Sequence, residues 1–213
     1  MKFATVVLDV DSTVAGIEGI DWLAARRGPA IAAEVARLTD AAMNGVVPLE
    51  EVYSRRLAAI QPTEQDVGAL AEAYQNAVAP GAPEVIARLR AASVRVVLVS
   101  GGIRQAIAPL AAWLGVPESG LFAVTLTFDG NGRFAGVNPT PLTLADGKAR
   151  VVRELDAARP LLAVGDGVTD AAMRTAADAF GAFTGFVRRD AVVRAADYEF
   201  THFADIERVV IPN

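Results

Sequence analysis

Two carboxylates close the first apolar run of the chain, at Asp9 and Asp11. Alternation along a strand end points both side chains to the same side, where they repel each other unless a cation or a shared proton compensates. One such carboxylate can act as a nucleophile, and its neighbour can act as a general acid and base. The alternative is a simple turn, in which Asp and Ser are common.

A second acidic pair, Asp166 and Asp170, follows another apolar run. Together with the first pair it brings four carboxylates to one edge of the predicted sheet, in a chain with one histidine and no cysteine. Oxygen-rich sites of this kind suit Mg²⁺, which keeps several waters and is commonly completed by a substrate phosphate. The residues therefore predict a metal-dependent phosphate site.

Two further segments carry groups that can bind an anion. Ser100, Gly101 and Gly102 follow an apolar run and precede a helical pattern, so that a hydroxyl and bare backbone amides face one point. Taken alone, this tripeptide fits a plain turn better. Lys148 begins a predicted helix, where its charge opposes the helix dipole. Inside an active site, the same lysine would balance phosphate and carboxylates.

The elements that position these groups follow from hydrophobic patterning. Four apolar runs that end in small or acidic residues predict buried parallel strands, over residues 3–8, 94–99, 160–164 and 178–183. Helical patterns follow or separate them, over residues 83–92, 103–114, 148–158 and 168–177. This alternation predicts a Rossmann-like, doubly wound α/β sheet whose functional residues lie at the carboxyl ends of the strands. A hairpin is predicted over residues 122–137.

The stretch from residue 16 to residue 78 interrupts this alternation because it has no strand signal. It shows three helical patterns, over residues 29–44, over residues 48–60, and from an N-cap at Thr63 to about Val78. We therefore expect a catalytic core of residues 1–14 and 80–213, with a small helical cap of residues 15–79 inserted after the first strand.

Composition limits the partners. The 213 residues carry a net charge of −5, so no basic surface favours nucleic acid. The absence of cysteine excludes a disulfide framework, a thiolate nucleophile and a cysteine-based zinc site. The first apolar run is too short for a signal peptide or a membrane span. We expect a cytoplasmic monomer or homodimer that acts on a small molecule, without nucleic-acid or membrane partners.

As a set, the segments appear in the order Asp-x-Asp-x-Thr, Ser, Lys and Gly-Asp-x-x-x-Asp. This order resembles the haloacid dehalogenase-like superfamily, and the match extends from about residue 3 to the C-terminal region. The resemblance implies that Asp9 is a nucleophile that becomes an aspartyl-phosphate. It also implies that Asp11 protonates the leaving group and then activates water.

The same resemblance assigns the remaining polar groups. It implies that Mg²⁺ is held by the Asp9 carboxylate, the Asp11 backbone carbonyl and Asp166, and that Asp170 supports this metal shell. Ser100 and Lys148 are implied to bind the transferring phosphoryl group, which makes both of them catalytic residues alongside the two N-terminal aspartates.

Within the superfamily, several segments resemble the phosphoserine phosphatase family, namely residues 9–14, 18–21, 42–43, 56–62 and 100–104. The resemblance implies that Glu18 binds the substrate ammonium, that Arg56 binds its carboxylate, and that Met43 forms an apolar wall. Gly101, Gly102 and Thr169 are expected to complete the substrate site. Spacing alone favours a different role for Arg56, which lies in the apolar stripe of its helix and can extend its charged end to solvent.

Together with the metal-dependent phosphate site, this resemblance implies a Mg²⁺-dependent phosphatase that hydrolyses O-phospho-L-serine in the last step of serine biosynthesis. Two alternatives use the same core: a phosphoserine–homoserine phosphotransferase, and a phosphatase for another small phosphorylated amine. A third alternative is a non-enzymatic switch that accepts a phosphoryl group on Asp9. The second acid, Asp11, and the helical cap weigh against the switch, which needs neither.

Overall fold

A computed structural model describes residues 2–43 and 49–212; side chains are described for all of these residues except 40–50. Parallel strands form its central sheet. The strands are β1 (Thr5–Leu8), β2 (Arg95–Ile103), β3 (Leu121–Val124), a separate hairpin of β4 (Leu126–Phe128) and β5 (Phe134–Val137), then β6 (Leu161–Gly165), β7 (Ala179–Phe183) and β8 (Tyr198–Phe200). The sheet order is β3-β2-β1-β6-β7-β8. All six strands are parallel, and β2 and β3 lie on one side of β1 while β6, β7 and β8 lie on the other. The predicted α/β, Rossmann-like fold is thus confirmed.

The central strands are apolar on both faces because helices cover both sides of the sheet. Every residue of β1 and β6 is buried. Leu8, the last residue of β1, is in register with Leu98 on one side and Val164 on the other. The residues that follow these three positions therefore lie at one edge of the sheet.

Helices connect the strands and flank the sheet. The first four lie between β1 and the next core helix: α1 (Gly19–Arg27), α2 (Pro29–Met43), α3 (Leu49–Ile60) and α4 (Glu64–Asn76). The others are α5 (Ala82–Ala91), α6 (Arg104–Trp113), α7 (Gly147–Glu154), α8 (Val168–Ala171), α9 (Asp190–Ala195) and α10 (Phe203–Val210). Within residues 2–43 and 49–212, no helix combines the length and the apolar character that crossing a bilayer requires.

The two connections between the helices α1–α4 and the rest of the chain run side by side. The Gly16 amide donates to the Ala77 carbonyl (2.8 Å), and the Ala79 amide donates to the Val14 carbonyl (2.9 Å). Beyond them, Gly81 takes a left-handed conformation (φ 78°) just before α5 begins. This geometry suits the proposed division at residues 15 and 79, which remains a prediction.

Four local expectations need correction. The predicted hairpin over residues 122–137 is shorter, because its first part is β3, an edge strand of the main sheet. The helix expected to residue 158 ends at Glu154, and the one expected over residues 168–177 becomes a 3₁₀ turn after Ala171. The strand expected to end at residue 99 continues to Ile103, so the Ser-Gly-Gly segment lies within β2 and does not follow it.

Candidate active site

A cavity of about 330 Å³ lies at the carboxyl edge of the sheet, beneath α1 and α3. Its lining includes most of the residues singled out from the sequence: Asp9, Asp11, Glu18, Arg56, Gly101, Gly102, Lys148, Asp166, Thr169 and Asp170. A larger cavity of about 700 Å³ lies beside β3, and its lining contains none of these residues. Chemistry rather than volume therefore identifies the smaller cavity as the candidate site.

Three buried carboxylates form the base of this cavity. Oxygen atoms of Asp9, Asp166 and Asp170 lie within 4.8 Å of one another. Burial raises the pKa of Asp9 well above its usual value, and the negative charge of Asp170 raises it further. An all-oxygen group of this kind fits a hard divalent cation, which would neutralise the excess negative charge.

Lys148 supplies a buried positive charge to two members of this cluster. Its Nζ atom donates to Asp9 Oδ1 (2.5 Å) and to Asp170 Oδ1 (2.6 Å). Burial acts to lower the pKa of Lys148, but the two carboxylates outweigh burial and raise it. The lysine thus remains an ammonium, and it fixes the Asp9 side chain at the end of β1.

Asp170 also organises the turn after β6. Its Oδ2 atom accepts a hydrogen bond from the Gly167 amide (2.8 Å), which caps α8. A Cβ atom at Gly165 would lie 2.3 Å from the Asp170 carboxyl carbon, so that only glycine allows this approach. Because its two oxygens bond to Lys148 and Gly167, Asp170 is suited to supporting the site.

Asp11 points away from the carboxylate cluster. Its Oδ1 atom accepts hydrogen bonds from the Tyr74 hydroxyl (2.6 Å) and the Gly19 amide (2.8 Å), and Oδ2 accepts a longer one from Ser100 (3.3 Å). Burial raises the pKa of Asp11, although these hydrogen bonds oppose the effect. A carboxyl group with a raised pKa is suited to giving and taking a proton.

Ser100 itself is fully buried at the carboxyl end of β2. Its Oγ accepts a hydrogen bond from the Gly102 amide (2.8 Å), so the hydroxyl is held between this glycine and Asp11. Gly101 and Gly102 line the cavity next to it.

Glu18 lies just before α1, at the mouth of the cavity. The Ser12 hydroxyl donates to its Oε1 atom (2.7 Å). Solvent reaches the side chain, yet surrounding protein desolvates the carboxyl group and raises its pKa, and the negative charge of Asp11 raises it further. A cation placed beside this group would be strongly attracted to it.

Arg56 enters the same cavity from α3. Its Nη1 atom lies 3.5 Å from the Thr39 hydroxyl, and its guanidinium carbon lies 5.9 Å from the centre of the Tyr53 ring. Its Nε atom is buried and has no hydrogen-bond partner among the described residues. The side chain of Met43, expected in the apolar wall, lies outside the described residues.

Three residues near the predicted set were not anticipated from the sequence. Tyr74 contacts Asp11, while Tyr53 donates from α3 to the Gly101 carbonyl (2.9 Å). Arg189, just before α9, forms an ion pair with Asp166. The two tyrosines lie on apolar helix faces, where sequence patterning indicates core packing, and no local pattern marks the arginine.

Comparison with known proteins agrees with this geometry. Residues 6–174 match the haloacid dehalogenase-like hydrolase family. Phosphoserine phosphatase from Bos taurus is 37% identical over 205 residues, covering 94% of this chain and 90% of that protein. The chloroplastic phosphoserine phosphatase from Arabidopsis thaliana is also 37% identical, over 207 residues that cover 94% of this chain and 70% of that protein.

Solved structures extend the likeness to the fold. A phospho-aspartyl intermediate analogue of a phosphoserine phosphatase superposes with a TM-score of 0.81 at 24% identity, covering 99% of this chain and 100% of that one. The family match spans most of the chain, and the relatives match nearly all of it. The chain therefore belongs to the haloacid dehalogenase-like hydrolase family, and within it to the phosphoserine phosphatases.

Proposed function

We propose that this protein hydrolyses O-phospho-L-serine to L-serine and phosphate, through an aspartyl-phosphate on Asp9, in the last step of serine biosynthesis. One observation carries the proposal: a single cavity contains a carboxylate cluster suited to phosphoryl transfer together with Glu18 and Arg56. These two opposite charges match the ammonium and carboxylate of an amino acid. The identity with mammalian and plant phosphoserine phosphatases supports it.

The chain's own residues suit a two-step reaction. The Asp9 carboxylate attacks phosphorus while the bond to the seryl oxygen breaks, and Asp11 gives its proton to that oxygen. Asp11 then takes a proton from water as the water oxygen attacks phosphorus, which releases phosphate and restores Asp9. Lys148 and the Ser100 hydroxyl lie close enough to these carboxylates to stabilise negative charge on the phosphoryl oxygens.

Mg²⁺ is the ion that best fits the buried oxygen ligands. We assign its binding to Asp9, the Asp11 backbone carbonyl and Asp166, with Asp170 as a supporting residue. When bound, the ion supplies positive charge that stabilises the phosphoryl oxygens as phosphorus is attacked. Arg189, which is paired with Asp166 in the described structure, would have to release that carboxylate.

Selectivity for the amino acid is assigned to Arg56. Its planar guanidinium matches a carboxylate with two parallel hydrogen bonds, a geometry that lysine cannot reproduce. The buried Nε atom, without a partner among the described side chains, suits this role. Met43 and Thr169 are proposed to complete the pocket.

Replacing Arg56 with lysine is expected to lower kcat/KM for phosphoserine by about 10- to 100-fold, the range for hydrogen bonds to a charged group. The same change should lower kcat/KM for a small phosphomonoester without a carboxylate less than about threefold, because this substrate has no group for Arg56 to bind. Steady-state phosphate release with both substrates measures the difference.

Arg55 offers a matched control on the same helix. Its side chain is exposed and lies 3.5 Å from Glu51, one helical turn away. Arg55→Lys should leave both substrates nearly unchanged. Equal losses on both substrates in the Arg56 variant, or a larger effect from Arg55, would reduce the assignment to a phosphatase that does not recognise the amino acid.

The rival activities differ in what accepts the phosphoryl group or carries it. Transfer to homoserine in an acceptor assay would support the phosphotransferase, and a long-lived phospho-Asp9 would support the switch. Faster phosphate release from another phosphorylated amine than from phosphoserine would assign that amine as the substrate. A cytoplasmic location and a monomeric or homodimeric state remain predictions.

A further inference from the structure

The carboxyl group of Asp11 is held by a tyrosine that the reaction scheme above does not use. Tyr74 lies on α4 and is fully buried. Its hydroxyl and the Gly19 amide both donate to the same oxygen, Oδ1, at 2.6 and 2.8 Å. A phenol is protonated at neutral pH, so the tyrosine is the donor in this pair.

The hydroxyl packs tightly against Gly19. A Cβ atom on Gly19 would lie 2.2 Å from the Tyr74 oxygen. The absence of a side chain at position 19 therefore allows the helix α1 and the phenol to converge on one carboxylate oxygen. A buried tyrosine hydroxyl needs a hydrogen-bond partner, and a backbone carbonyl would serve as well as the Asp11 carboxylate does. Burial alone therefore does not require Tyr74 to contact Asp11.

The two donors distinguish the two oxygens of Asp11. Tyr74 and Gly19 together occupy both lone-pair directions of Oδ1, whereas the described residues direct one longer hydrogen bond at Oδ2. A proton on Asp11 is therefore more stable on Oδ2, which lies 3.3 Å from the Ser100 hydroxyl, and Asp11 itself lines the cavity. Fixing Oδ1 thus also fixes the direction in which Oδ2 presents its proton.

We propose that Tyr74 is a positioning residue, which holds Oδ1 of Asp11 so that Oδ2 delivers the proton to the leaving oxygen. The inference rests on the proposed function, in which Asp11 is the general acid. It extends the site to α4, an element that supplies none of the groups assigned to substrate or metal.

The test is the substitution Tyr74→Phe, which keeps the ring and removes only the hydroxyl. We compare kcat/KM for phosphoserine, for propyl phosphate and for p-nitrophenyl phosphate. The first two have alkoxide leaving groups that need a proton, whereas nitrophenolate leaves without one. Since kcat/KM covers only steps up to the first irreversible one, water attack on phospho-Asp9 does not enter the comparison.

We expect a loss of about tenfold on both alkyl substrates, the size of one hydrogen bond to a charged group, and less than about a twofold loss on p-nitrophenyl phosphate. In an Asp11→Asn background, the tyrosine substitution should add no further loss. Tyr53→Phe is the matched control, because this second buried cap tyrosine bonds to the Gly101 carbonyl and not to Asp11. Any loss of kcat/KM in the Tyr53 variant should not differ between the alkyl and the aryl leaving groups.

Equal losses on all three substrates, or no loss on any, would overturn the positioning role. A loss on phosphoserine alone would also overturn it, since that pattern reports amino-acid binding. If the phenylalanine variant does not fold, Gly19→Ala displaces the hydroxyl instead, and the same alkyl-to-aryl comparison applies. A wild-type protein that cleaves the aryl ester but not phosphoserine would contradict the proposed substrate and leave the role of Tyr74 open to the same measurement with propyl phosphate.

Discussion

Replacing Asp9 with asparagine is expected to lower kcat for phosphate release by about 10⁴-fold or more, the scale seen when a hydrolase loses its nucleophile. The fold should survive the change. Lys148 keeps its hydrogen bond to Asp170 in the variant, and the removal of one buried negative charge relieves repulsion within the cluster. Steady-state phosphate release and thermal unfolding measure the two effects separately.

Two further observations make this expectation specific. Rapid acid quenching of the wild-type reaction should trap one phosphoryl group on the peptide that contains Asp9, and the variant should trap none. Asp156→Asn should retain full activity, because this exposed residue does not line the candidate site and its carbonyl contacts Arg95 at the start of β2. Near-wild-type turnover by the Asp9 variant, or a phosphoryl group trapped on another residue, would exclude Asp9 as the nucleophile.

Removing divalent cations is expected to abolish turnover and to lower the midpoint of thermal unfolding. Without a cation, the carboxylates of Asp9 and Asp170 share the ammonium group of Lys148, and Asp166 pairs with Arg189. If Mg²⁺ binds at the proposed site, a concentration of about 100 times its dissociation constant would stabilise the folded chain by about 2.7 kcal/mol. For a chain of this size, that corresponds to a rise of about 5–10 °C in the midpoint.

Calcium separates binding from catalysis in the same experiment. It takes more ligands at longer distances than Mg²⁺, so it should raise the unfolding midpoint without restoring efficient turnover. Asp166→Asn should lose most of the midpoint shift with either ion. Full activity after exhaustive chelation would rule out the proposed metal chemistry.

Long and buried elements are predictable from the sequence because their patterns are strong. The strands β1, β2, β6 and β7 appear within a few residues of the predicted runs, and Thr63 caps α4 as expected. Short elements at the edges were missed. The strand β8 has three residues, and the helix α1 has nine, of which the last two are Arg26 and Arg27. Periodicity needs more turns than these elements offer.

The same limit applies to the candidate site. The ends of neighbouring parallel strands bring Asp9 and Asp166 to one cavity, and the sequence order of the motifs carries that information. The hydrogen bond from Tyr74 to Asp11 joins residues 63 positions apart on a helix face that resembles ordinary core. Such contacts depend on how helices dock, which no local pattern encodes.

Gly165 takes no part in the reaction, but because it lies so close to Asp170 it should tolerate substitution as poorly as a catalytic residue does. In a library that samples all residues at every position, selected for growth without added serine, position 165 should accept glycine alone, because any side chain displaces Asp170. Gly68, inside α4, has nothing within 4 Å of its would-be Cβ atom. Alanine there should be enriched, since it favours the helix by about 0.5–1 kcal/mol. Intolerance to substitution in this enzyme would therefore map the packing of its site as well as its chemistry.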